Sequence, residues 1–439
     1  MISSSSGGRR PMRVAINAQF LPNSGMGGVE SAVSGLIHAL GRLDDGPEEY
    51  AVVGPWPDPE WLASYVGPNQ LIVRGPAPRH HTLRRSFGRV LGPLLPAVRR
   101  LRDRSMRTTT GRSIPRSDGF YEGLGCNVVH FPYQKFAVCA LPMIYNPHDL
   151  QHLHYPEFFP PAVIAWRETT YSAGCRLAHT VVVAAQCVRQ DIAQHYRVDA
   201  RKIQVIPWSA PTQAHAAPTL ATLTDVRRKY RLEKCFALYP AVTWPHKNHL
   251  RLLEAMALLR GRADQRIHLV CTGHQSDFWP QIQRRHRTLG LQDQVRFLGS
   301  VGPDELRALY RLAQFVVMPS LFEGAGLPLF EAWQDDVAVT CSSVAPLSEV
   351  AGGAALLFDP HRVEAIAEAV GRMASDGNLR EALRQRGARQ LKEFTWRRCA
   401  KAYRAVYRRA AGMALTDEDQ HLLNCERVRD SQSRVEVRS

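Results

Sequence analysis

Short, densely apolar runs alternate with stretches whose apolar residues recur at helical spacing along most of this chain. Arg13–Ala18 reads as a strand, and a Gly- and Asn-rich loop follows over Pro22–Gly28. From Val29 the apolar positions fall at Ala32, Val33, Leu36, Ile37 and Leu40, the period of a helix. Strand, Gly-rich turn and helix open a nucleotide-binding type of α/β domain. Further strands are predicted at Tyr50–Val53, Leu71–Val73, Val128–Phe131, Pro142–Tyr145, Thr180–Ala184 and Ile203–Ile206. Helical patterns lie between several of them, notably Pro161–Gly174 and Cys187–His195.

The segment Ser209–Ala221 is rich in Ala, Pro and Thr and has no period, so it reads as a linker. The alternation then restarts. Strands are expected at Phe236–Tyr239, Ile267–Thr272, Val295–Leu298, Phe315–Met318, Val337–Thr340 and Ala355–Phe358. Helices are expected at His249–Leu259, Trp279–Leu289, Pro303–Leu312, Pro328–Trp333, Val363–Ala374 and Leu379–Glu393, with a last one at Trp396–Ala411. Such alternation implies parallel sheets covered on both faces. The fold class is therefore α/β: two tandem Rossmann-like, doubly wound domains with a cleft between them. The expected layout is a disordered lead-in (1–11), an N-terminal domain (12–208) with a basic insertion near 79–118, a linker (209–222) and a C-terminal domain (223–394). A helix over 395–413 that can return to the N-terminal domain follows, and then a disordered tail (414–439).

Composition narrows the class. The net charge is +16, which favours an anionic partner. Much of the excess is local: between Arg79 and Arg116 only Asp103 opposes a run of arginines interleaved with apolar residues such as Phe87, Leu91, Leu94 and Leu101. That pattern suits either a solvated insertion or a surface lying on an anionic membrane. The nine cysteines are scattered and include no Cys-x-x-Cys, which argues against a structural zinc site and for free thiols in the cytosol. No apolar run is long enough to span a bilayer, and the N-terminus lacks the apolar region of a secretory signal.

The most informative segment is Met318–Glu331. A strand ends at Pro319-Ser320, the loop Glu323-Gly324-Ala325-Gly326 follows, and a helix starts near Leu327-Pro328. The glycines allow close backbone approach, and the N–H groups of a helix start can cradle phosphate. Glu323 in the loop and Glu331 one turn into the helix can face one ligand, each carboxylate taking adjacent hydroxyls. A second loop, Trp244-Pro245-His246-Lys247-Asn248-His249, places an ammonium after a strand, where it can offset charge on a leaving group.

The first of these segments closely resembles the Glu-seven-residues-Glu signature of glycosyltransferase family 4, which has the GT-B fold; the Lys-Asn loop looks like that family's second motif. The resemblance implies that Glu323 contacts the donor hexose and Glu331 the ribose, with Gly324, Ala325, Gly326 and Leu327 around the donor and Lys247 at its diphosphate. Family members often have Phe at the position of Ala325. Many carry an Arg where this chain has His246 or Ala241, so the second cation at the diphosphate is left open. Asn146-Pro147-His148-Asp149 is similar to the family's N-domain His-Asp, implying that His148 reaches the transferred sugar while Asp149 orients the loop. Gly25, Gly27 and Gly28 match the family's acceptor or diphosphate loop. Glu349, in Pro346–Gly352, resembles the late loop beside the nucleotide. The family's frequent strand-end Ser is Ala185 here.

The resemblance implies a retaining, metal-independent transferase with no cofactor and a nucleotide diphosphate sugar as co-substrate. The only Asp-x-Asp, Asp417-Glu418-Asp419, reads as solvated charge in the tail. Same-face attack, with the leaving phosphate taking the acceptor's proton, needs no protein general base. The variant motif resembles bacterial polysaccharide mannosyltransferases, implying GDP-mannose as donor and a glycan or lipid-linked glycan acceptor at the inner membrane face. The alternatives are an epimerase or phosphorylase of the same fold, or a basic nucleic-acid-binding protein. The last lacks aromatics among its arginines, and no nucleic-acid partner is expected.

Overall fold

The computed structural model describes residues 11–21, 28–77, 114–211, 216–260 and 267–424. The lead-in up to residue 10, Gly25 and Gly27, most of the basic insertion and the tail from 425 lie outside them.

Seven strands build the first sheet: β1 (Arg13–Asn17), β2 (Glu49–Gly54), β3 (Gln70–Arg74), β4 (Val128–Phe131), β5 (Met143–Tyr145), β6 (Thr180–Val183) and β7 (Ile203–Val205). Six build the second: β8 (Phe236–Pro240), β9 (His268–Thr272), β10 (Val295–Phe297), β11 (Phe315–Met318), β12 (Val339–Ser342) and β13 (Ala355–Phe358). Their orders are β3-β2-β1-β4-β5-β6-β7 and β10-β9-β8-β11-β12-β13, parallel throughout. The central strands are buried on both faces, which is why they read as unbroken apolar runs such as Phe315–Met318.

In each sheet the chain winds outward on one side and then crosses to the other. The first sheet reverses between β1 and β4, the second between β8 and β11. Two crossovers that leave adjacent strands in opposite directions open a crevice at the strands' carboxyl ends, where open α/β sheets take ligands. The loops after β8 and β11 are the Lys247 and Glu323 loops. Topology alone therefore brings together segments 76 residues apart.

The long helix Trp396–Ala410 returns to the N-terminal domain and packs on the helix Gly28–Leu40. Gly35 is required at that contact, because a Cβ there would meet Trp396 Cζ2 at 2.4 Å. The Tyr407 hydroxyl donates to His130 Nδ1 (2.8 Å), and Asn146 Nδ2 donates to the Tyr403 hydroxyl (2.7 Å). This helix thus anchors Asn146, two residues before His148.

Two boundaries differ from expectation. The tail is not disordered from 414: a helix runs over 417–424, Asp419 is 1% exposed, and its carboxylate accepts from Arg408 Nη1 at 2.8 Å. Arg404 and Arg408 are buried on the helix Trp396–Ala410 and demand counter-charges, which Asp45, Glu48 and Asp419 supply. Asp419 is therefore structural rather than solvated. The linker is also shorter than 209–222. Ser209 and Ala210 are buried, Ser209 Oγ donates to Phe394 O (2.7 Å), and a helix already begins at Leu220 behind the capping Thr219.

Candidate active site

The loop after β8 is held rigid by its own short turn. Pro245 opens a 3-10 turn, and Asn248 closes it in the left-handed region (φ 60), which Asn tolerates. Asn248 Nδ2 donates to the carbonyls of Pro319 and Pro360, both at 2.9 Å. The Tyr239 hydroxyl donates to Lys247 O (2.5 Å), and Leu321 N donates to His246 O (2.8 Å). The two loops flanking the second switch point are thereby locked to each other before any ligand arrives.

In that frame Lys247 Nζ stands 2.6 Å from Glu323 Oε1, and Ser320 Oγ donates to the same oxygen at 2.7 Å. The two charged side chains are only 15% and 10% exposed, so their attraction is weakly screened by water. Gly326 then turns the chain at φ 69, and the helix Leu327–Gln334 starts with Pro328 in its first turn. A side chain at Gly326 would meet Leu347 Cδ2 at 2.8 Å. Ala325 is partly buried against the core, and Leu327 faces the other domain, where a Cβ on Gly28 would lie 2.9 Å from its Cδ1.

Glu331 lies in that helix, and its Oε2 accepts from the Tyr310 hydroxyl at 2.6 Å. Burial pushes its carboxyl up to about 7. The two glutamates thus differ: Glu323 is held against a cation, whereas Glu331 is held by a neutral hydroxyl.

The N-terminal domain presents His148 and Asp149 to this loop. His148 has φ 72, uncommon for a residue with a side chain and a mark of local strain. Its Nε2–H donates to Pro132 O at 3.0 Å, and burial lowers its pKa to about 4. The imidazole is therefore neutral at pH 7 and keeps Nδ1 as an acceptor. Asp149 packs directly on the donor-side loop, since a Cβ on Gly324 would be 3.0 Å from Asp149 Oδ2. Burial raises the Asp149 carboxyl, and the Glu323 charge adds to that. The Tyr155 hydroxyl donates to Leu321 O (3.1 Å), and Phe322 stacks on His154 with centroids 5.5 Å apart.

Two expected site residues sit differently. His246 is 9% exposed, and burial first, then the Lys247, Arg167 and His249 charges, hold its imidazole well below the ordinary value. A neutral imidazole there offers no positive charge of its own. Glu349 lies in a short helix (Ala345–Ala351) rather than a loop, and its carboxylate crosses to the other domain. It accepts from Gln186 N (2.7 Å) and Cys187 N (3.1 Å), capping the helix Gln186–Tyr196, whose own cap residue Ala185 offers no side-chain acceptor. The Ser missing at Ala185 is replaced from the other domain.

The sequence reading named Ser320 only as part of the frame before Glu323, and it missed Tyr310, which approaches from the separate helix Pro303–Leu312. Among the described residues, no three His, Cys, Asp or Glu side chains cluster to hold a metal ion, and no helix is long and apolar enough to cross a membrane.

Residues 225–390 match the model of the family described as glycosyl transferases group 1. O-antigen chain mannosyltransferase B of Escherichia coli is 31% identical over 257 residues, covering 57% of this chain and 66% of that protein. O-antigen chain mannosyltransferase RfbU of Salmonella typhimurium is 29% identical over 234 residues, covering 52% of this chain and 61% of that protein. The matched span is less than two thirds of either relative's length. Among solved structures, sucrose-phosphate synthase from Thermosynechococcus elongatus aligns with a TM-score of 0.65 at 18% identity, covering 91% of this chain and 98% of that one, which shows the shared GT-B fold.

Proposed function

We propose that this chain, which carries a glycosyl transferases group 1 domain on the GT-B fold, is as a whole a retaining glycosyltransferase that moves a hexose from a nucleotide diphosphate sugar. The observation that carries the reading is the buried Lys247–Glu323 pair at the second switch point, beside the start of the helix Leu327–Gln334. A pyrophosphate lying there meets an ammonium and a helix N-terminus, and the sugar beyond it meets a carboxylate. Placement of the chain in family 4 rests on the motif Glu323 to Glu331.

As the bond from the anomeric carbon to the leaving phosphate breaks, negative charge grows on the diphosphate, and Lys247 offsets it. Glu323 holds sugar hydroxyls and Glu331 the ribose diol. His148 offers Nδ1 to a hydroxyl of the transferred sugar. The acceptor hydroxyl attacks from the face the phosphate leaves, and its proton passes to the departing phosphate oxygen. The new glycosidic bond keeps the donor's configuration. No divalent ion is required in this scheme, because Lys247 and the helix start carry the charge. The Asp149–Gly324 and Tyr155–Leu321 contacts close the domains and limit water attack on the donor.

Mannose from GDP-mannose is the favoured donor, because relatives at 31% and 29% identity are named O-antigen chain mannosyltransferases. A lipid-linked glycan at an anionic cytoplasmic membrane surface is the favoured acceptor, on the strength of the arginine-rich stretch near 79–118. Incubation with GDP-mannose, UDP-glucose and ADP-glucose, with and without EDTA, tests donor and metal together. Transfer from GDP-mannose with retained configuration, undiminished by EDTA, is expected. Transfer from none of the three, or inversion, refutes the reading.

A further inference from the structure

A left-handed backbone such as that of His148 (φ 72) costs free energy and persists only where its surroundings over-determine it. Three consecutive residues where β4 ends supply the first support. His130 Nε2 donates to Asn146 Oδ1 (2.9 Å), the Phe131 carbonyl accepts from Asn146 N (3.0 Å), and the Pro132 carbonyl accepts from His148 Nε2 (3.0 Å). The second support is the helix Trp396–Ala410: Asn146 Nδ2 donates to the Tyr403 hydroxyl (2.7 Å), and the Tyr407 hydroxyl donates to His130 Nδ1 (2.8 Å). Bonds run in one direction from Tyr407 through His130 and Asn146 to Tyr403, so each fixes the orientation of the next. A third support is Trp208, whose ring meets the His148 ring edge to face, centroids 5.2 Å apart. Asn146, His130, Tyr403 and Trp208 are all buried, so what they contribute to a bound sugar passes through His148.

Trp208 and Tyr403 also sit where the chain passes between the domains. It leaves the N-terminal domain just after Trp208 and returns to it at Trp396. The two passages are tied to each other: Ser209 Oγ donates to Phe394 O (2.7 Å), and Trp396 Nε1 donates to Ala210 O (2.8 Å). Resting on the transferase reading above, we propose that Tyr403 and Trp208 are positioning residues for the donor sugar, holding the His148 imidazole so that its Nδ1 meets a hydroxyl of the transferred hexose. A shift of the hinge therefore moves that imidazole relative to the sugar.

Calorimetric titration with GDP-mannose, UDP-glucose and ADP-glucose, each against its nucleoside diphosphate, tests this. The proteins compared are wild type, Tyr403→Phe, Trp208→Phe, His148→Ala and the double variants Tyr403→Phe/His148→Ala and Trp208→Phe/His148→Ala. The quantity read is the affinity ratio of nucleotide sugar to diphosphate for the donor that binds. Loss of one hydrogen bond changes an affinity roughly two- to tenfold, so His148→Ala is expected to lower the ratio by that much. Tyr403→Phe and Trp208→Phe are expected to lower it in part, with diphosphate affinity intact, and to add nothing once His148 is replaced. A merely structural role would lower the unfolding midpoint and leave the ratio unmoved. Tyr403→Phe, which removes one oxygen from an otherwise intact ring, decides the matter if Trp208→Phe does not fold. An unchanged ratio in Tyr403→Phe, with His148→Ala impaired, overturns this inference alone, as does a loss that persists undiminished in the double variants. An unchanged ratio in His148→Ala removes His148 from the sugar and this inference with it. Binding of none of the three donors overturns the transferase reading itself.

Discussion

Lys247 and Glu323 form a buried ion pair, Nζ to Oε1 at 2.6 Å, between the two loops that flank the second switch point. Each residue supplies the other's counter-charge in a poorly hydrated cleft. Both are thereby held ready for a ligand that brings its own negative charge at one end and hydroxyls at the other.

Glu323→Ala is expected to abolish transfer. It is also expected to lower stability. The substitution strands the Lys247 ammonium and the Ser320 hydroxyl, a cost of about 1–3 kcal/mol. Denaturant unfolding measures the loss, and retained turnover would remove Glu323 from its assigned role. The double variant Lys247→Met/Glu323→Gln should be less destabilised than the two single losses summed, yet still inactive.

Glu349 replaces the cap that Ala185 lacks. Glu349→Ala should therefore cost about 1 kcal/mol, the usual magnitude for a lost helix cap. It should also loosen domain closure, seen as a larger radius in X-ray scattering and a lower kcat. Adding Ala185→Ser restores a local cap, so stability should recover while closure does not. Recovery of both would show that Glu349 acts only as a cap.

Glu331 binds its proton more tightly in the folded chain, at about 7, than at its ordinary 4.5. The stability this raised pKa contributes is complete below pH 4.5 and is lost as the pH rises to about 7. Glu331→Gln does not titrate, so it should gain on wild type across that window and hold a constant difference above it. Unfolding midpoints at pH 5, 6, 7 and 8 check this, and parallel curves would contradict it.

Gly326→Ala combines a left-handed φ of 69 with the Leu347 contact at 2.8 Å. A loss of about 1–3 kcal/mol and weaker donor binding are expected. Gly299→Ala shares the conformation (φ 71) but has open space around it, so it isolates the backbone cost and should leave donor affinity intact.

What could be read from the chain was whatever burial writes locally. The buried run Phe315–Met318 and the edge run Ala355–Phe358 matched residue for residue. Glu323 and Lys247 stood out because glycines and prolines frame their turns. The role of Glu349 did not, because its partners lie 163 and 162 residues away in the other domain. The helix over 417–424 was missed for a related reason. It is held by Asp419 against Arg408 and by only two apolar residues, Leu422 and Leu423, in the core, and the polar sequence around them resembles disorder.

The most direct check is a structure of the chain soaked with a nucleoside diphosphate. The pyrophosphate is expected against Lys247 Nζ and the backbone of residues 324–328, with the ribose on Glu331 and the open sugar side facing Glu323. A diphosphate bound elsewhere, or one that leaves the Lys247–Glu323 pair undisturbed and distant, would contradict it.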